Sequence, residues 1–157
     1  MSDYFTLKPA TIEHAEGVGR VISDAIERVN AKDYPRAEIN RLLQNFTTET
    51  IAALLQQRQT LVALAGEQIV GTGAIQGAEV KSVFVAPDWH RRGIGVALVC
   101  ELEKIAARDG IETLEVSSSL SATQFYSALG FIEKSRIFFG DEETVHMTKA
   151  IARTQSR

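Results

Sequence analysis

The hydrophobic pattern changes period near residue 59, and a chain that does this must combine helices with a sheet. Ahead of the change, apolar residues recur at helical spacing: Val18, Ile22, Ala25, Ile26 and Val29, then Ile39, Leu42, Leu43 and Phe46, then Ile51, Leu54 and Leu55. Thr11 is placed to cap the first of these helices, with Glu13 in the turn where the helix dipole favours an acid, and the pattern carries on to about Asn30. Gly17 and Gly19 fall inside it. Each costs about 1 kcal/mol relative to Ala, which predicts a bend or close packing there. Pro35 opens the second helix, and Thr47 or Thr48 caps the third. A short strand over Tyr4–Lys8, ended by Pro9, precedes them all.

Beyond the change, Thr60–Ala65 and Ile69–Gln76 are β-branched runs joined by Gly66-Glu67-Gln68, which predicts a hairpin. Glu79–Val85 is a further strand, closed by Ala86-Pro87. A helix over Gly93–Asp109 carries Ile94, Leu98, Leu102 and Ile105 on one stripe and stops at Gly110. Ile111–Val116 is a strand and Ser121–Leu129 a short helix stopped by Gly130. Phe131–Phe139 and Thr144–Thr148 are the last strands, joined around Gly140-Asp141. The order predicts a mixed α/β sheet with helices on both faces.

Composition narrows the class. No linker or repeat divides the 157 residues, so the expectation is one domain over residues 1–151 with a frayed polar tail, 152–157. A single cysteine cannot form an internal disulfide and suits a reducing compartment. The first residues lack a basic segment followed by an apolar one, and no apolar run approaches the roughly 20 residues of a membrane span. The expected location is cytoplasmic, with no membrane partner. Seventeen Lys and Arg against 20 Asp and Glu leave a net charge of −3, which argues against a nucleic-acid partner.

The chemistry is concentrated in Val83-Phe-Val-Ala-Pro-Asp-Trp-His-Arg-Arg-Gly-Ile-Gly-Val-Ala-Leu98: a strand, a turn, then a glycine-bearing helix start. Unpaired N–H groups at such an end, with the helix dipole, attract an anion, and Gly93 and Gly95 let a phosphate approach the backbone. A nucleotide P-loop requires Gly-Lys-Ser/Thr, which is absent. A dinucleotide fold requires a third glycine where Leu98 stands. The pyrophosphate loop of a coenzyme A acyltransferase remains, beside the plain alternative of a glycine turn with solvated arginines. His14, His90 and His146 share no metal spacing, so no metal site is expected. Cys100, at an apolar helix position with no histidine of a motif nearby, is expected to be a packed core thiol rather than a nucleophile. Trp89 is expected to pack at the turn.

The segment His90-Arg91-Arg92-Gly93-Ile94-Gly95 resembles the acetyl-CoA motif of the GNAT acetyltransferases, Gln/Arg-x-x-Gly-x-Gly/Ala, and Val83-Phe84-Val85-Ala86-Pro87 resembles the strand before it. Ser121-Ala-Thr-Gln-Phe125-Tyr126-Ser-Ala-Leu129-Gly130-Phe131 is similar to that family's Ala-x-x-Phe-Tyr-x-x-Leu-Gly-Phe, and His146-Met147-Thr-Lys149 to its final strand. The resemblance covers roughly residues 60–150. His90 departs from the pattern, a change that a loop acting through backbone amides would tolerate.

The resemblance implies a mostly antiparallel sheet with a splayed central strand pair. It implies acetyl-CoA as cosubstrate and a primary amine, on a small molecule or a peptide, as acceptor; a homodimer is in keeping with the family. The pyrophosphate falls to the loop His90, Arg91, Arg92, Gly93, Ile94, Gly95 and Val96, mainly through amides. The pantetheine arm falls to Val83, Phe84 and Val85, with the Val83 N–H at the thioester carbonyl, where one backbone donor contributes on the order of 3 kcal/mol. Glu79 stands where some relatives carry a glutamate base, and strand alternation puts it on one face with Lys81 and Val83. A carboxylate, with a reference pKa of about 4.3, needs burial or a bridging water to serve an ammonium; otherwise Glu79 is a solvated strand-end partner of Lys81. Tyr126 falls where the family places a general acid near the sulfur, its alternative being a core aromatic beside Phe125. Ser119 and Ser121 fall where relatives carry a cofactor-contacting Asn, although a helix N-cap accounts for them better. Asp33-Tyr34-Pro35 stands where the family forms its acceptor pocket, or is a plain turn, and His146 lines the cleft or packs at a sheet edge. The expected activity is direct acetyl transfer in a ternary complex, since no covalent nucleophile is visible. The alternative is a non-catalytic acyl-CoA-binding module.

Overall fold

The computed structural model describes residues 4–28, 30–32, 34–139 and 142–151. Its strands and helices follow the order read from the period change. β1 (Thr6–Pro9) precedes three helices, α1 (Ala15–Arg28), α2 (Arg36–Gln44) and α3 (Thr48–Gln57). β2 (Gln59–Ala65), β3 (Gln68–Gln76) and β4 (Glu79–Val85) follow, then α4 (Ile94–Arg108) and β5 (Thr113–Ser118). α5 (Thr123–Ala128), β6 (Ile132–Phe139) and β7 (Glu142–Ala150) complete the order. Val29, Asp33, the Gly140-Asp141 turn and the 152–157 tail lie outside the described residues.

The strands form one sheet in the order β1-β2-β3-β4-β5-β7-β6. β4 and β5 run parallel, and every other neighbouring pair is antiparallel. Alternation along β2 divides the core in two. Leu61 and Ala63 pack with Ile94, Leu98 and Leu102 of α4, while Val62 and Leu64 pack with Val18, Ile22 and Ile26 of α1. Helices therefore cover both faces. α4 lies close on β3 because Gly71 has no side chain there: a Cβ would sit 2.8 Å from the Ile94 Cγ2. Gly17 provides the close packing expected of it, since a Cβ would sit 2.6 Å from the Ile69 Cδ1.

The departures are local. The N-terminal strand starts at Thr6, with Tyr4 exposed, and the first helix enters through a 3-10 turn, Ile12–His14, before α1. There the His14 Nδ1 accepts a hydrogen bond from the Thr11 N–H at 2.9 Å. Thr47 caps α3, its Oγ1 accepting from the Thr50 N–H at 3.2 Å. The helix expected over Ser121–Leu129 splits into a 3-10 turn, Leu120–Ala122, and α5.

One buried hydroxyl joins the helical half to the far end of the sheet. Tyr34, 8% exposed, donates to the Glu143 carbonyl at 3.0 Å and accepts from the Leu120 N–H at 3.3 Å. Tyr34→Phe leaves two backbone groups without that partner, so it should lower unfolding free energy by about 1–3 kcal/mol. Urea denaturation measures this; a change within error would mean that water replaces the hydroxyl.

Candidate active site

The cleft originates in an irregularity of β4. Its pairing with β5 is confined to Glu79↔Glu115 and Val80↔Val116. Against β3, Ala74 pairs with Lys81 but Thr72 pairs with Phe84, so two steps on β3 match three on β4. The extra residue is a bulge, and Ser82 within it has a φ of 54°, in the left-handed region that favours glycine. Strict alternation therefore fails, and Glu79, Lys81 and Val83 do not share a face. Val80 and Val83, three residues apart, both join the α4-side core, whereas Phe84 packs on the α1–α3 side, edge-on to Phe46 at 6.0 Å. The bulge re-aims the strand just where β5 departs, and a gap opens between them.

That gap is part of a cleft of about 880 Å³. Of the expected cofactor residues, Val83, Phe84, Val85, His90, Arg91, Gly93, Ile94, Gly95, Val96 and Ser119 line it, as do Glu79 and Tyr126. Arg92 does not. Its guanidinium stacks over the Trp89 ring, 4.5 Å from the centroid, because the exposed turn puts the cation beside an indole face. Trp89 packs at the turn as expected, and it also lines the cleft.

The loop end is shaped for an anion. Arg91 and Gly93 have φ of 65° and 81°, so the backbone turns through left-handed positions before α4 begins. Gly93 is the N-cap and makes no side-chain cap bond; the first N–H groups of a helix have no partner within it. His90 ties this loop to the sheet, its Nε2–H donating to the Val85 carbonyl at 3.0 Å. A Cβ on Gly95 would sit 3.1 Å from the Phe125 ring, so a larger residue there would require that ring to give by a few tenths of an ångström.

Tyr126 is 6% exposed and lies between Phe125 and Phe131, with ring centroids at 5.0 and 5.4 Å, both edge-on. It is a core aromatic and a cleft residue at once. Burial pushes its phenol well above the ordinary range near 10. Glu79 is 42% exposed and pairs with Lys81 at 3.4 Å.

Other expectations are corrected. Ser119 holds the N-cap position of its 3-10 turn but makes no cap bond, its Oγ lying 3.4 Å from that of Ser121. Cys100 is exposed, because it sits two residues from both Leu98 and Leu102 and so turns away from their buried stripe. His146 pairs with Glu115 at 3.0 Å on the sheet surface, and neither lines the cleft. Among the described residues, no group of three or more His, Cys, Asp or Glu is placed to hold a metal ion, and no helix is long and apolar enough to cross a membrane.

Arg58 was not foreseen. It follows α3, lines the cleft, and donates from NH1 to the Ser82 Oγ at 3.2 Å. No motif marks it, and 24 residues separate it from its partner. Tyr34, Leu42 and Phe46 also line the cleft, from the α1–α3 side of the sheet, whereas Val85, Trp89 and Ile94 pack on the α4 side.

Residues 30–151 match the model of the acetyltransferase (GNAT) domain. An uncharacterised N-acetyltransferase of Methanocaldococcus jannaschii is 38% identical over 60 residues, 36% of this chain and 26% of that one, so the chain spans about a quarter of that relative's length. A GCN5-related N-acetyltransferase of Rhodopseudomonas palustris superposes with a TM-score of 0.88 at 26% identity, covering 93% of this chain and 95% of that one. The PaiA N-acetyltransferase of Thermoplasma acidophilum, solved with coenzyme A, has the same fold, with a TM-score of 0.80 at 19% identity over 96% and 100% of the two chains.

The burial of Tyr126 has a direct optical test. A phenol raised by burial stays protonated through the range in which exposed tyrosines ionise, near pH 10. The tyrosinate absorbance gained by about pH 10.5 should therefore be the same in the native protein and in Tyr126→Phe. A smaller signal in the variant would show that water reaches the hydroxyl. The sign for stability follows: this contribution is present below the unfolded phenol's pKa and is lost as pH rises beyond it.

Proposed function

The chain belongs to the acetyltransferase (GNAT) domain family, whose members move an acyl group from acetyl-CoA, and from that premise we propose that it is an N-acetyltransferase, residues 1–151 acting as one unit on a primary amine by direct attack. The observation that carries this reading is the parting of β4 from β5 after Val80, beside an anion-shaped loop, with Glu79 and Tyr126 lining the same cleft.

The residues present suit the cosubstrate. The left-handed turn at Arg91 and Gly93 and the start of α4 offer backbone donors to a pyrophosphate, and the side chain of Arg91 adds positive charge. The edge of β4 that β5 leaves gives Val83 and Val85 as partners for an amide-bearing arm. Bound there, acetyl-CoA supplies an activated acyl carbon and a thiol leaving group.

The chain's own groups do the rest. The Val83 N–H, at the bulge, stabilises negative charge developing on the carbonyl oxygen. Glu79 is half-buried and already paired with Lys81, so it takes the amine proton through a bridging water rather than from within a closed pocket. The amine nitrogen forms the new bond to carbon as the bond to sulfur breaks. Tyr126 returns a proton to the sulfur. Burial holds that phenol protonated and makes its phenolate costly, so the transfer accompanies cleavage; the proton that Glu79 took from the amine then leaves to water, and water reprotonates the phenol while the sulfur keeps its proton.

Acetyl-CoA at 100 times its Kd should raise the melting temperature by about 5–10 °C. No shift at millimolar ligand would sink the cosubstrate assignment. In a thiol-release assay across amine acceptors, Tyr126→Phe should lower kcat by about 100-fold or more while the acetyl-CoA shift stays as it is; unchanged turnover would remove the hydroxyl from the chemistry. Glu79→Gln should likewise lower kcat by about 100-fold while the acetyl-CoA shift stays as it is, and unchanged turnover would remove Glu79 as base. A cosubstrate-dependent shift with no acceptor turned over would mark a binding module instead.

A further inference from the structure

The α1–α3 side of the cleft has a chemistry that points to a class of acceptor. Its walls are apolar, with Ile26, Leu42, Phe46 and Phe84. Set into them is Arg58. A guanidinium carries five N–H donors, yet among the described residues the Arg58 side chain makes one hydrogen bond, to the neutral Ser82 hydroxyl. Its Nε is buried with no acceptor. Burial lowers its pKa, and Glu79 opposes that only in part. The Glu79 carboxylate pairs with Lys81, not with Arg58. A partly buried cation is thus left facing a cavity without a carboxylate of its own, an arrangement that favours an anion from outside.

We propose that Arg58 receives the carboxylate of the acceptor, and that the acceptor is a free α-amino acid with an apolar side chain. This deepens the acetyltransferase reading and rests on it. The position of the cation narrows the acceptor further. Arg58 bonds Ser82, the immediate neighbour of Val83, so the cation stands beside the β4 edge that carries the Val83 N–H. An α-amino acid carries its carboxylate two bonds from its nitrogen, so both groups can be held at that one place. A long diamine would instead bring its second cation beside Arg58 and Lys81. Leu42, Phe46 and Phe84 enclose the side chain. The atoms balance as before: nitrogen gains the acetyl carbon, sulfur gains a proton, and the products are an N-acetyl amino acid and the free thiol.

The test compares L-leucine, L-leucinamide and 3-methylbutylamine as acceptors in the thiol-release assay. The native protein should show kcat/KM for leucine about 10–100-fold above the two acceptors that lack the carboxylate, and Arg58→Met should bring that ratio close to one. Equal or better use of the amide and the plain amine by the native protein overturns the proposal and leaves acetyl transfer standing. A second arm needs no turnover. In the presence of coenzyme A, leucine but not leucinamide should raise the melting temperature of the native protein, and the increment should vanish in Arg58→Met. If no amine is acetylated yet leucine still gives this increment, the transferase reading fails and the carboxylate site stands. If leucine is neither acetylated nor bound, the site fails. The native comparison of acid with amide decides the matter even where the variant does not fold.

Discussion

One extra residue in β4 sets the geometry of the whole site. A regular strand would keep its pairing with both neighbours and leave no gap, since every backbone donor and acceptor would be used in the ladder. The bulge at Ser82 shifts the register against β3 and turns Val83 to the face opposite the one that strict alternation assigns. It coincides with the point where β5 leaves β4 after two residue pairs. Ser82 takes a left-handed φ of 54°, a conformation that costs a non-glycine residue roughly 1–2 kcal/mol. Its hydroxyl meets Arg58, and the packing of Val80 and Val83 on one side and Phe84 on the other holds the irregular strand in place.

From that point the cleft divides by charge and polarity. Toward the loop, a second non-glycine residue in the left-handed region, Arg91, and then Gly93 turn the backbone toward the start of α4. His90 secures the turn by bonding back to Val85, the last residue of β4, so its departure from the family pattern has a structural use. On the α1–α3 side the walls become apolar and hold Arg58, whose buried Nε has no acceptor among the described residues. Tyr126 is clamped by two aromatic rings in the core, and the burial that fixes its position also fixes its protonation. The two groups proposed to move protons thus differ in kind: Tyr126 is buried and held by rings, and Glu79 is half-buried beside Lys81.

Much of this was legible in the linear order of residues. The period change near residue 59 separated the helical arm from the sheet, and Pro35, Thr47, Gly66, Gly110 and Gly130 marked turns and ends that the fold respects. The strand–turn–glycine–helix segment marked the loop end of the cleft because its signals are contiguous, and local conformation depends on near neighbours. Tyr126 was visible for the same reason, inside a compact motif.

What the sequence by itself determined is therefore the element order, the anion-shaped loop and the aromatic helix, all set by interactions within a few residues. The tertiary structure decided the rest. Strand alternation could not foresee the bulge, which exists only as a mismatch between β3 and β4. Helical spacing could not settle that Cys100 turns outward, since an apolar residue name says nothing of which stripe the sheet covers. Motif spacing counted Arg92 with the loop, although Trp89 takes its side chain. Arg58 is the plainest case: a cation 24 residues from Ser82 acquires its place in the cleft when α3 and β4 come together, because desolvation and pairing are properties of the folded surroundings, not of the residue.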